Sequence, residues 1–201
     1  MMFEFLRKIL CPFNKIEALV PENGDILDVG CGHGTFAEIL AKKSKNRRVL
    51  GIDPSSSKIS YAKKKERVSK NIKFKKGYLE DVKNQKFDCV TVIDVLYLLS
   101  PADMVKFLKN VKNLLRKKGV LILKTDSREP KMLTRLLEIE ETIMVKLLKF
   151  THSDTKKLYF LDRKEYRRVI KKAGLNIIKE KVFTSLFPYK HPTYVAVKNE
   201  K

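Results

Sequence analysis

The sequence predicts an α/β fold, a mostly parallel sheet covered by helices, and three observations lead there. A short apolar run, Ile26-Leu27 and then Val29, ends in a turn with glycine at every second position, Gly30, Gly32 and Gly34, and a helical pattern starts at Thr35. Strand, glycine turn and helix in that order make the usual site for a nucleotide-like ligand in an open sheet. A second strand pattern, Arg48 to Asp53, ends in an acid roughly 20 residues past the turn, where a carboxylate accepts hydrogen bonds from ribose hydroxyls. Phe87 to Ile93 is almost continuously apolar, as in the middle of a parallel sheet.

The 201 residues predict one domain, 1–201, large enough for a real core. No apolar run approaches bilayer-spanning length, and the first residues lack the small-residue cleavage site of a secretory signal. Cys11, Cys31 and Cys89 are odd in number and widely spaced, so no disulfide or metal pattern is expected. Together these point to a reducing, cytoplasmic setting. The net charge of +21 attracts anionic partners such as RNA, a phosphorylated substrate or an anionic membrane face. It is spread along the chain rather than gathered in one tail, the pattern of lysine-coated helices.

Residues 1–20 suggest an N-terminal helical cap, broken at Cys11-Pro12 and resumed from Phe13 to Val20. Pro21 to Gly24 turns into the first strand. The turn after it reads G-x-G-x-G, not the G-x-G-x-x-G shaped for a pyrophosphate. Asp28 at the strand end suits a ligand with an ammonium group better than one with phosphates. After Asp53, Pro54 and Ser55 to Ser57 start the next helix. Ile72 to Lys76 alternates apolar and basic, as an outer strand does. Ser100 caps a helix with Pro101 at its first position, an apolar stripe from Met104 to Leu115, and Gly119 as its expected end. Val120 to Asp126 follows as a strand. Pro130 to Phe150 reads as a helix apolar on more than one side, with His152 just beyond it. Asp162 to Glu165 is a capping box for the next helix, which Gly174 ends. A strand from Leu175, a loop carrying Tyr189 and His191 as candidate substrate contacts, and a strand over Thr193 to Val197 finish the chain.

The turn Leu-Asp-Val-Gly-Cys-Gly-His-Gly closely resembles the first motif of class I S-adenosylmethionine-dependent methyltransferases, and the whole chain looks most like the small stand-alone members of the broad type 11 group. Leu114 to Ile122 resembles a further segment of that family, with Lys118 where proline is usual. The resemblance implies a Rossmann-like, seven-stranded, mostly parallel sheet with helices on both faces and an antiparallel last strand. It implies S-adenosylmethionine as cofactor, held by Asp28, Gly30, Cys31 and Gly32, by Asp53 and Pro54, by Tyr78 and Leu79 at the adenine, and by Asp94. Asp94 and Tyr97 then lie beside the transferable methyl as candidate catalytic residues, and 127–161 is the substrate-lid insertion. Gly77-Tyr78 stands where the family usually has Gly-Asp, so Glu80, Asp81 or a stacking Tyr78 is left to read adenine.

The expected acceptor is a small molecule or a lipid-like precursor. RNA methylation is the competing class because of the charge. Asp94 and Lys124 match the middle of the Lys-Asp-Lys-Glu set of ribose methyltransferases, but Pro192-Thr193-Tyr194 occupies the place of its Glu, and no Asn-Pro-Pro-Tyr follows the fourth strand. A third reading is a non-catalytic, cofactor-binding protein in peripheral contact with anionic membrane through the N-terminal segment and the 130–150 helix.

Overall fold

The structure, a computed structural model, describes residues 10–127, 158–184 and 190–199. The expected helix over 130–150, His152, Tyr189 and most of the 127–161 insertion lie outside them.

Seven strands form one sheet: β1 (Gly24–Val29), β2 (Arg47–Asp53), β3 (Ile72–Lys76), β4 (Phe87–Ile93), β5 (Leu115–Lys124), β6 (Leu175–Thr184) and β7 (Lys190–Lys198), in the order β3-β2-β1-β4-β5-β7-β6. The β1–β2, β1–β4, β2–β3 and β4–β5 pairs are parallel, and β7 runs antiparallel to both β5 and β6. The order reverses between β1 and β4, which opens a crevice at their carboxyl ends.

Strand alternation divides the core between the two faces. Ile26, Val49 and Ile122 pack on one side with α1 (Phe13–Glu17), α2 (Thr35–Lys43) and α3 (Ser56–Ala62). Leu27, Val90 and Leu121 pack on the other with α4 (Pro101–Leu114) and α5 (Arg163–Lys172). Both expected caps form: the Ser100 hydroxyl accepts from the Asp103 amide at 3.2 Å, and Asp162 and Glu165 exchange side-chain-to-backbone bonds at 2.8 and 2.7 Å. The three cysteines are buried and unbridged, and burial pushes the Cys89 thiol far up, out of reach of thiolate chemistry. Among the described residues no helix is long and apolar enough to cross a membrane.

Two expectations are corrected. The helix expected to run to Gly119 stops at Leu114, and β5 begins at Leu115. Leu114 and Leu115 serve the core from either geometry, so the apolar stripe did not mark the change. Gly119 sits not at a helix end but inside β5, beside β4: a Cβ there would stand 2.8 Å from the Phe87 carbonyl oxygen, at the register shift between Phe87 and Cys89. The loop expected to carry His191 is strand from Lys190 onward, because Phe183 and Thr184 of β6 pair with His191 and Lys190.

Arg47 begins β2 fully buried and ties the N-terminal segment to the sheet. Its guanidinium donates to Glu17 at 2.7 Å and to the carbonyls of Pro21, Val20 and Leu40. Glu17→Gln leaves those carbonyl bonds and removes only the charge pair. We expect it to destabilise by about 1–2 kcal/mol, the difference between a charge-assisted and a neutral hydrogen bond. In thermal unfolding of a chain this size that is a fall of about 2–8 °C.

Candidate active site

The glycine turn is set by left-handed backbone and by crowding. Gly30, Gly32 and Gly34 have φ of 70°, 56° and 75°. A Cβ on Gly30 would lie 2.5 Å from a Val95 methyl. The amides of Gly30 and Cys31 both donate to the Ile52 carbonyl, at 2.9 and 3.0 Å, which draws the turn against the end of β2.

Two carboxylates flank it. Asp28 is buried, and its Oδ1 accepts from the Thr91 hydroxyl of β4 at 2.7 Å. Asp53 is buried too: Oδ2 accepts from the Gly32 amide at 3.0 Å and Oδ1 from the Ser55 amide at 2.9 Å. A carboxylate has about four lone-pair directions, so two fixed amides orient it and leave two for a ligand. That arrangement fits a vicinal diol such as a ribose, and Pro54 lies between the two anchor points.

Asp94 follows β4 and is the one non-glycine residue with positive φ, 58°, among the described residues. Strain of this kind collects at functional sites. Its amide donates to the Lys124 carbonyl at 3.2 Å, and its carboxylate meets the Lys124 ammonium at 2.5 Å. Val95, next in the chain, is the residue that fills the space beside Gly30, so Asp94 is held at the rim of the turn.

Beyond it runs a cluster that the sequence reasoning did not assemble. Lys124 bonds Asp126 at 2.9 Å, and His191 Nδ1 meets the same Asp126 oxygen at 2.7 Å. All three side chains are buried. Burial alone would push the Lys124 ammonium down, yet Asp126 and Asp94 outweigh it and hold it well above the lysine range. Burial alone would raise Asp126, yet Lys124 and His191 hold it far below the carboxylate range. The signal available was Lys124-Thr125-Asp126, two opposite charges closing an otherwise apolar strand.

Tyr97, Tyr78, Leu79 and Asp81 complete the expected set. The Tyr97 ring is buried against Phe160, centroids 5.0 Å apart. Tyr78, after β3, is 62% exposed, and Leu79 is buried. Asp81 is turned back on its own segment, accepting from the Tyr78 amide at 2.8 Å.

The family description "methyltransferase domain" matches residues 21–180. The chain belongs to the methyltransferase domain family. This methyltransferase domain is 31% identical over 182 residues to a ubiquinone biosynthesis O-methyltransferase of Bartonella quintana, covering 88% of this chain and 71% of the relative. It is 33% identical over 135 residues to the protein of the same name from Actinobacillus pleuropneumoniae, covering 63% and 56%. With a Bacillus subtilis relative, YqeM, the match covers 44% of that protein, so the chain spans about half the length of the first curated relatives it matches. Among solved structures, magnesium protoporphyrin IX methyltransferase of Synechocystis with bound S-adenosylhomocysteine has a TM-score of 0.71 at 21% identity, covering 94% of this chain and 82% of that one. PH0226 of Pyrococcus horikoshii has a TM-score of 0.72 at 21% identity, covering 98% and 91%. The methyltransferase domain therefore has the class I, Rossmann-like fold expected from the glycine turn, with its antiparallel strand in place.

Proposed function

We propose that this methyltransferase domain binds S-adenosylmethionine between Asp28 and Asp53 and methylates an oxygen of a small-molecule, lipid-like acceptor. The observation that carries the reading is the Asp53 carboxylate, fixed by the Gly32 and Ser55 amides with two acceptor directions left for ribose hydroxyls. Asp28 supplies negative charge toward a ligand ammonium. Cys31 and the glycines leave the backbone of the turn close to the ligand, and the exposed ring of Tyr78 offers a stacking face for adenine beside Leu79. When bound, the cofactor supplies a methyl group on a positively charged sulfur. Asp94, locked by Lys124 at the rim of the turn, orients the acceptor, and positioning is the main contribution such a displacement needs. The relatives named as ubiquinone biosynthesis O-methyltransferases support an oxygen acceptor in the small-molecule pool rather than RNA.

Calorimetric titration with S-adenosylhomocysteine should give a saturable heat. Incubation with methyl-labelled S-adenosylmethionine and a whole-cell extract should place label in the solvent-soluble fraction. Absence of heat on folded protein overturns the cofactor reading, and label confined to RNA overturns the acceptor reading.

A further inference from the structure

Thr91 lies in a strand of otherwise almost continuous apolar character, and the cofactor residues assigned above leave it without a task. β1 runs between β2 and β4, so Asp28 has Gly51 on one side and Thr91 on the other. Gly51 offers no side chain. A Cβ there would stand 2.7 Å from the Phe74 ring and 3.0 Å from the Cys31 sulfur, so those groups close that side. Ile26 precedes Asp28 on the same face of the sheet, and Cys89 and Ile93 stand on either side of Thr91, all in one apolar layer. Asp28 and Thr91 are both buried, Thr91 completely.

An ionised carboxylate in an apolar layer is unfavourable unless donors or a cation face it. Thr91 is the donor that β4 supplies. Its Oγ1 lies 2.7 Å from Asp28 Oδ1 and 3.4 Å from the Leu27 carbonyl oxygen. A hydroxyl has a single proton, and the nearer, charged oxygen is the stronger acceptor. Threonine is stiff at χ1, so the backbone of β4 fixes where that donor stands. With Oδ1 held there, the plane of the Asp28 carboxylate is set, and the direction of Oδ2 with it. Valine has nearly the same shape, and the hydroxyl is what threonine adds at this position.

We propose that Thr91 is the positioning residue for the amino-acid end of the cofactor. Through Asp28 it fixes where the ligand ammonium is held, and so sets how strongly the protein prefers a ligand carrying that ammonium over the bare nucleoside. This rests on the cofactor reading above. Asp53 takes the ribose and is fixed by the Gly32 and Ser55 amides, neither of which involves Thr91. Separate acids therefore recognise the two ends of the ligand, and Thr91 acts on one of them alone.

Two probes distinguish the ends. S-adenosylhomocysteine carries the ammonium, and 5′-methylthioadenosine keeps the nucleoside and the sulfur without it. In calorimetric titration, Thr91→Val should weaken S-adenosylhomocysteine by about tenfold or more, as loss of a charge-assisted hydrogen bond does. The same variant should bind 5′-methylthioadenosine nearly as wild type does. Thr91→Ser restores the hydroxyl and should restore S-adenosylhomocysteine binding. Asp28→Asn should show the same split between the probes, and Thr91→Val added to it should change little further, because Thr91 acts through Asp28. A general loosening of the fold would instead weaken both probes together. Equal weakening of both by Thr91→Val, or of neither, overturns the proposal, as does a full loss from Thr91→Val in the Asp28→Asn background. Where Thr91→Val does not fold, equal weakening of both probes by Asp28→Asn overturns it. No heat from S-adenosylhomocysteine with folded wild-type protein overturns the cofactor reading itself.

Discussion

Asp53→Ala should abolish measurable binding of S-adenosylhomocysteine in calorimetry, while the protein keeps its circular dichroism spectrum. If Asp53 holds the ribose as proposed, two hydroxyl-to-carboxylate bonds are lost, each contributing about 1.5–3 kcal/mol. The sum is about 3–6 kcal/mol, or roughly a hundredfold to ten-thousandfold in Kd. The loss also reaches the turn itself, because the Gly32 and Ser55 amides lose the acceptor that fixes them. Asp53→Asn is the informative companion. Its amide presents one oxygen and one NH2, so it can satisfy one of those two backbone donors and opposes the other with a donor. An affinity between those of alanine and wild type is expected. Wild-type affinity in Asp53→Ala would mean that the ligand lies elsewhere.

Lys124→Met should be strongly destabilising. Methionine fills the volume but leaves Asp94 and Asp126 facing each other without the cation between them. Removing one partner from a buried ion cluster costs about 3–5 kcal/mol, a large share of an ordinary folding free energy. Urea denaturation should register it as a lower midpoint with an unchanged slope. The pH dependence separates this cause from poor packing. In the wild type, Asp126 is depressed below 3.8, so its contribution is present above about pH 4 and is lost as acid protonates it. Lys124 is raised above 10.5, so its contribution is present through neutrality and lost only as alkali reaches the folded value. Without Lys124, burial favours protonated Asp126, and the variant gains relative stability as pH falls. The gap from wild type should narrow between pH 7 and pH 4. A constant gap would point to packing alone.

The glycine turn and its two flanking acids were legible because their signals are local. Gly30, Gly32, Gly34, Asp28 and Asp53 are recognised by spacing within one strand–turn–helix–strand unit. The helix caps at Ser100 and Asp162 were legible for the same reason. Where a helix passes directly into a strand, as at Leu114 and Leu115, both periodicities bury the same leucines and the boundary is not marked. The buried ions were the hardest to see. Among 44 lysines and arginines, Arg47 and Lys124 look like surface residues. What makes them interior is a set of partners mostly distant in sequence: Glu17 and three carbonyls for one, Asp94 together with the nearby Asp126 for the other. Register, not composition, decides which charges are enclosed.

The position of β7 between β5 and β6 also sets a schedule for the growing polypeptide. Everything that builds the glycine turn and its acids, β1 through β4, leaves the ribosome early and is contiguous. The opposite end waits for β7 to slot between two strands that have already emerged. Until it does, β6 has no neighbour in the sheet and Asp126 has no imidazole. In a nascent chain the part of the sheet that carries the glycine turn can therefore assemble before β7 emerges and encloses the charges of Lys124 and Asp126.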